Sequence, residues 1–403
     1  MQGLNKRTQP RSLFLYVAVV GIPSITWLSY LVGAGSIPYY AAATSMAIFA
    51  LRHLLFIEKY NFTIVLVCFL PVLFSFLHVN TVDVYRESLS GTFDVILQTA
   101  AITVVLLIML AANSFSENHF RFALFWICIF HLPFLMLGLT LGIEGIGIDS
   151  NARLASGFAT AAYAEIALGT LICSFFTRRM WLIGISVCFA SGIFYFTQMR
   201  GASLAAMVVP VVLFIFTRNS LIRSIRAPSI FLMIILATLF ASQIAETVSN
   251  ALLLDDPHRG FSSGFSGRLD SWIVGLLAFE RSPIIGAGTL HPEASGTHNG
   301  LLRLAAEFGL FCLVAWVGVI FVAARKSIRQ GDFLSFAVIL SYLAFMMTAP
   351  RYINFQLTPL IYLLVIANVL SRKSQRIAGA SRRAPMHRQP APHSISQRRD
   401  ILE

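Results

Sequence analysis

Charge is what this sequence has least of. Asp, Glu, Lys and Arg together make 12% of its 403 residues, where a soluble domain carries about 25%. Half the usual charge, combined with long apolar runs, excludes an ordinary water-soluble domain and makes lipid the solvent. Cysteine is also sparse. Cys68, Cys128, Cys173, Cys188 and Cys312 all fall inside apolar stretches, and no CxxC spacing occurs. They read as small buried hydrophobes, which excludes a disulfide framework or a cysteine metal site. GxxxxGK[ST] and GxGxxG are missing, so no nucleotide site is indicated. Asp255-Asp256 is not a spaced DxD and reads as a solvated turn before Pro257.

What is present is apolar. Hydrophobic residues make up 57% of the chain, and mean hydropathy is +0.76. A hydrocarbon core of about 30 Å and a rise of 1.5 Å per residue set the length of a span. On that measure, about twelve transmembrane helices are expected. They fall near 13–32, 37–51, 61–79, 93–112, 121–141, 157–176, 181–198, 201–217, 229–245, 300–324, 333–348 and 357–370. Lys6, Arg7 and Arg11 precede the first run, which is long enough to read as a retained helix. The fold class is therefore all-α and polytopic. Residues 1–370 form one transmembrane domain, and 371–403 form a basic, disordered cytoplasmic tail.

Net charge is +12, which membrane topology explains without nucleic acid. With the N-terminus inside, 22 of the 30 basic residues fall in cytoplasmic segments. That bias puts both termini in the cytoplasm. The eight exceptions are all arginines: Arg86, Arg153, Arg200, Arg259, Arg268, Arg281, Arg303 and Arg351. Arg86, Arg259 and Arg281 read as interfacial arginines bound to lipid headgroups.

One large outer loop runs over 246–299. Within it, GRLDSWIVGLLAFERSP reads as an amphipathic helix with Leu269, Trp272, Ile273, Leu276 and Phe279 on one side. SPIIGAGTLHPEASGTHN then reads as loop, with Thr297 as N-cap of the next span. His258, His291 and His298 share this loop, but their spacing matches no common zinc pattern, so no metal is expected. His131, Glu165 and Glu307 lie inside spans, with Asp94 near an end. Glu307 follows Arg303 by four residues and reads as its ion-pair partner. Three scattered ionisable groups give little support to a lipid-linked oligosaccharide flippase or transporter, which would place charge near the midplane.

Four outer elements carry chemistry: NARLASGF at 151–158, TQMRGAS at 197–203, GRLDSW at 267–272 and THNGLLRLAAEFGL at 297–310. Arginine forks bind phosphate through paired hydrogen bonds. A histidine at its ordinary pKa of ~6.5 can accept a proton near neutral pH. In order, TxxRG, GRxxxW, PIIGxG and HNxLLxxxxExGL resemble the O-antigen ligase and polymerase superfamily over roughly 150–325. The family often has Ser where Met199 stands, and a polar turn where ATAAY follows Phe158.

The resemblance implies a bacterial inner-membrane glycosyltransferase acting at the periplasmic face. Its donor would be a glycan on undecaprenyl diphosphate, and its acceptor a lipid A-core or another glycan. Membrane lipids and other envelope polysaccharide-assembly proteins are the remaining implied partners. Arg200 and Arg268 would correspond to the family's arginines and His298 to its histidine, the three catalytic groups. Arg153, Asn299, Glu307 and Trp272 would join Arg200 and Arg268 in binding diphosphate or glycan. Direct attack on the anomeric carbon implies inversion, with neither cofactor nor metal. A ligase is the first reading. A repeat-unit polymerase for O-antigen, capsule or exopolysaccharide would carry the same residues.

Overall fold

The apolar runs of the second half are helices in the structure, a computed structural model. It describes residues 161–197, 199–216, 264–288, 291–349 and 357–372, with two short strands and five isolated positions nearer the N-terminus. The runs expected at 13–32, 37–51, 61–79, 93–112, 121–141 and 229–245 lie outside the described residues, apart from those isolated positions. So do Arg86, Asp94, Arg153, His131, His258, Arg259 and Arg351. The chain divides after Ser371, and only Arg372 of the second unit is described.

Two-residue strands β1 (Gly147–Ile148) and β2 (Leu154–Ala155) pair antiparallel. Helices α1 (Ala161–Thr177), α2 (Met180–Thr197) and α3 (Arg200–Phe216) follow. The segment expected as an outer loop holds α4 (Gly264–Arg281) and a single turn, α5 (Pro292–Ser295). Then come α6 (Gly300–Gln330), α7 (Phe333–Thr348) and α8 (Leu357–Ser371). The described part is thus all-helical, apart from the β1–β2 ladder.

The structure extends the span expected at 300–324 to Gln330. Arg325, Lys326 and Arg329 end its apolar run but are good helix formers. The helix stops at Gly331, whose φ of 71° is left-handed. Gly331 N–H donates to Ile328 O and Asp332 N–H to Ser327 O, both at 3.0 Å. That pairing satisfies the last carbonyls. Asp332 at once caps α7, accepting from Ser335 N–H at 3.1 Å.

Among the described helices α7 packs most extensively, chiefly against α3. The face of α3 toward the core is small: Gly201, Ala202, Ala205 and Ala206 are buried. In lipid, small residues let backbones approach, and packing rather than water exclusion joins the helices. Ser341 of α7 donates to Ala205 O and pairs with Tyr362 of α8, each at 2.6 Å. This buried clamp fixes three helices in one register.

Among the described residues, α6 alone is long and apolar enough to cross a membrane. It buries Leu304, Phe308, Cys312, Trp316 and Ile320 on one side. The opposite side exposes Leu310, Val314, Val317 and Phe321. Apolar stripes of that size on an outer surface suit lipid, not water. Glu165 is buried on α1.

Candidate active site

The site starts from a break in α6. Gly309 has φ 79° and ψ −178° in the middle of the helix, a conformation that favours glycine. In an unbroken helix, Ala306 O would accept from the N–H of Leu310. Here Leu310 N–H turns to Pro283 O at 2.8 Å. The orphaned Ala306 O takes Ala287 N–H at 2.7 Å, and Glu307 O takes Gly288 N–H at 3.0 Å. The PIIGAG segment is therefore a backbone splint for the break. It anchors the outer loop to the buried first turns of α6.

α4 is packed on that platform by its small residues, not its large apolar ones. The buried positions are Gly275 and Ala278, while Leu269, Ile273 and Leu276 are exposed. Trp272 and Phe279 are half-buried. The reason is Thr297, which is wholly buried. A methyl group on Gly275 would overlap its side chain. Only a residue without Cβ lets α4 come this close.

That contact brings Arg268 to His298. Ser271 Oγ donates to Arg268 O at 2.8 Å. The same oxygen accepts from His298 N–H, and Ser271 O accepts from Thr297 Oγ1, each at 3.5 Å. Thr297 is thus not the cap of α6. Asn299 is: its Oδ1 accepts from Leu301 N–H at 3.0 Å and from Leu302 N–H at 3.1 Å. With Thr297 committed to α4, the cap falls to the next competent side chain.

Arg200 opens α3 and is half-buried, with its Nε shielded from solvent. Gly201 beside it packs on Thr348 of α7. Gly300 packs on the same turn, where an added Cβ would lie 3.1 Å from Ala349 O and 3.2 Å from Met346 O. Two glycines thus set the starts of α3 and α6 on one end of α7. Arg200 and the His298-Asn299 pair therefore belong to one end of the bundle. Trp272 stands one turn beyond Arg268, with its Nε1 buried and lacking a hydrogen-bond partner among the described residues.

The electrostatics favour a neutral imidazole. By surface area His298 is open to solvent, yet its ring is partly shielded. Partial burial first, then the charges of Arg268 and Arg303, push its pKa below the usual value. Burial also lowers the pKa of Arg268, though a guanidinium stays protonated at any working pH. Sequence reasoning placed Arg303 only as the partner of Glu307. The ion pair exists, with Nε to Oε1 at 2.9 Å. Glu307 itself is wholly buried, so it meets the site through Arg303. Arg281, read as a headgroup arginine, instead pairs with Glu293 at 2.7 Å on the surface. Such exposed pairs contribute about 1 kcal/mol or less.

Residues 185–317 match the family model described as O-antigen ligase. The matched segment belongs to the O-antigen ligase superfamily. It covers about a third of the chain, from α2 to the middle of α6, and contains every site residue placed above. No curated protein matches the chain. The family match supports a membrane-associated enzyme of the ligase and polymerase type.

Proposed function

We propose that the chain is a membrane glycosyltransferase of the ligase type. It moves a glycan from undecaprenyl diphosphate to a lipid A-core acceptor at the periplasmic face of the bacterial inner membrane. One observation supports this reading: the α4–α6 contact, through Ser271 and the 297–298 turn, brings the charges of Arg268 and Arg303 to bear on His298. Arg200 starts a helix on the same end of α7.

The chemistry follows. His298, kept neutral, takes the proton of the acceptor hydroxyl. The freed oxygen forms a bond to the anomeric carbon, and the bond from that carbon to the diphosphate oxygen breaks. Attack opposite the leaving group inverts the centre. Arg200 and Arg268 neutralise the charge that develops on the departing diphosphate, so the step asks for no metal ion. Trp272, near Arg268, and Asn299, beside His298, are candidates for binding donor or acceptor, and Arg153 is one from its RxxG pattern.

The test is complementation of a deletion strain with wild type, Arg200→Ala, Arg268→Ala, His298→Ala and the control Arg218→Ala. Removing one such stabilising group should lower transfer by about 100-fold or more. Normal transfer by His298→Ala and Arg268→Ala at normal protein level would sink the mechanism. Long glycans stranded on the carrier lipid identify a lost ligase. Single uncapped repeats identify a lost polymerase, which would change the acceptor and keep the site.

A further inference from the structure

We propose that Arg303 is a further phosphate-binding residue of this site, held in place by the buried carboxylate of Glu307. This rests on reading the site as one that handles a diphosphate.

An exposed i,i+4 pair stabilises a helix by only a few tenths of a kcal/mol. This pair is not exposed: the side chains of Arg303 and Glu307 are 15% and 0% accessible. A buried ion pair gives up hydration that its attraction barely returns, and a well-packed apolar pair would serve stability as well. Its presence calls for a use of the charge. Glu307 is anchored twice, by its place beside the Gly309 break and by Gly288 N–H on its carbonyl. Its Oε1 takes the Nε of Arg303 at 2.9 Å. A guanidinium is a planar fork of five N–H donors, so fixing Nε fixes the direction of the whole group. Arg303 N–H donates to Asn299 O at 2.8 Å, which sets Arg303 one turn inside the cap, next to His298. The charges of Arg303 and Arg268 both reach that imidazole. Arg268 and Arg303 repel each other there, and the carboxylate of Glu307 offsets that repulsion.

The ligand is the diphosphate of the donor; a phospholipid headgroup carries the same phosphate chemistry and is the alternative that the test separates. The experiment uses the full chain in nanodiscs and measures binding of undecaprenyl diphosphate. Variants are Arg303→Gln, Glu307→Gln, the double Arg303→Gln/Glu307→Gln, and Arg268→Gln as reference, each with thermal unfolding. The double variant leaves two neutral amides that can hydrogen-bond each other, so no charge stays buried without a partner. It should fold normally and bind roughly tenfold more weakly or worse, as loss of a charged hydrogen bond implies. The loss should be equal in phosphatidylcholine and phosphatidylglycerol discs. Wild-type binding by the double variant, with binding lost in Arg268→Gln, overturns the proposal and leaves the site reading intact. Wild-type binding in both overturns the site reading too. A loss seen only in phosphatidylglycerol assigns Arg303 to headgroups and also overturns the proposal. If the double variant does not fold, Arg303→Lys replaces it, keeping charge and losing the fork. Severalfold weaker binding is expected there, and unchanged binding overturns the proposal.

Discussion

Gly286 and Gly309 lock together backbone to backbone. A Cβ on Gly286 would strike the peptide of Glu307–Phe308, and one on Gly309 would strike that of Ile284–Ile285. Both have φ of 79°. The PIIGAG segment and the broken helix therefore support each other. His298, Arg303 and Glu307 all sit within twelve residues of the break, so their geometry depends on it.

Gly286→Ala and Gly309→Ala should each cost more than about 1 kcal/mol, because alanine neither suits a left-handed backbone nor fits the contact. Thermal unfolding in detergent would read this as a lowered midpoint. Gly192→Ala is the control. It lies within α2 with open space around it, and there alanine should stabilise by roughly 0.5–1 kcal/mol. Equal effects at the three positions would show that the splint carries no weight.

Asn299 has a structural duty that the family resemblance does not reveal. Its cap satisfies two N–H groups at the start of α6. Asn299→Ala should cost about 1 kcal/mol, and Asn299→Ser or Asn299→Asp much less. Activity measured beside stability separates the roles. If the cap is the whole role, Asn299→Ser transfers glycan at near the wild-type rate. A large fall in rate with an unchanged melting midpoint would give Asn299 a direct contact with substrate instead.

The pH profile reports on His298. Its pKa is lowered by partial burial and by Arg268 and Arg303. The base form is neutral, so kcat/KM should be level near pH 7. It should fall on the acid side, with a midpoint below the usual histidine value of ~6.5. Removing a neighbouring cation makes protonation easier and raises that pKa. Arg268→Gln should therefore move the acid limb upward, while Arg268→Lys lowers the rate and leaves the limb nearly in place. A limb at the same pH in both variants would mean that another group sets it.

The helices were legible because each follows an apolar run, and 333–348 and α7 agree residue for residue. Their ends were less so: α6 runs on through Arg325 and Lys326 until a left-handed glycine stops it. The cap was misplaced by two residues because Thr297, His298 and Asn299 are consecutive, and burial of Thr297 against Gly275 is a tertiary fact. The packed face of α4 was not legible for the same reason, since periodicity marks Leu269 and Leu276 and is silent on Gly275 and Ala278. Arg268 and His298 are thirty positions apart, and no spacing rule joins them. Only the motif resemblance did so. Arg303 reads from the sequence only as an ion-pair partner, because the i,i+4 rule explains the pair without asking whether it is buried.

Gly275 and Thr297 give the most direct test of how the site is assembled. Gly275→Ala improves helix propensity by nearly 1 kcal/mol, yet its methyl would overlap the Thr297 side chain. α4 must then back away from the 297–299 turn, carrying Arg268 off His298. A displacement of about 1 Å at a catalytic group can cost 100-fold in rate. The single variant should thus fold well and transfer poorly. Thr297→Ala removes the Oγ1 and Cγ2 that the new methyl would meet. The double variant Gly275→Ala/Thr297→Ala should recover much of the lost rate. Recovery would tie activity to the closeness of α4 and α6. A double variant slower than either single change would mean that Thr297 serves the reaction by some route other than packing.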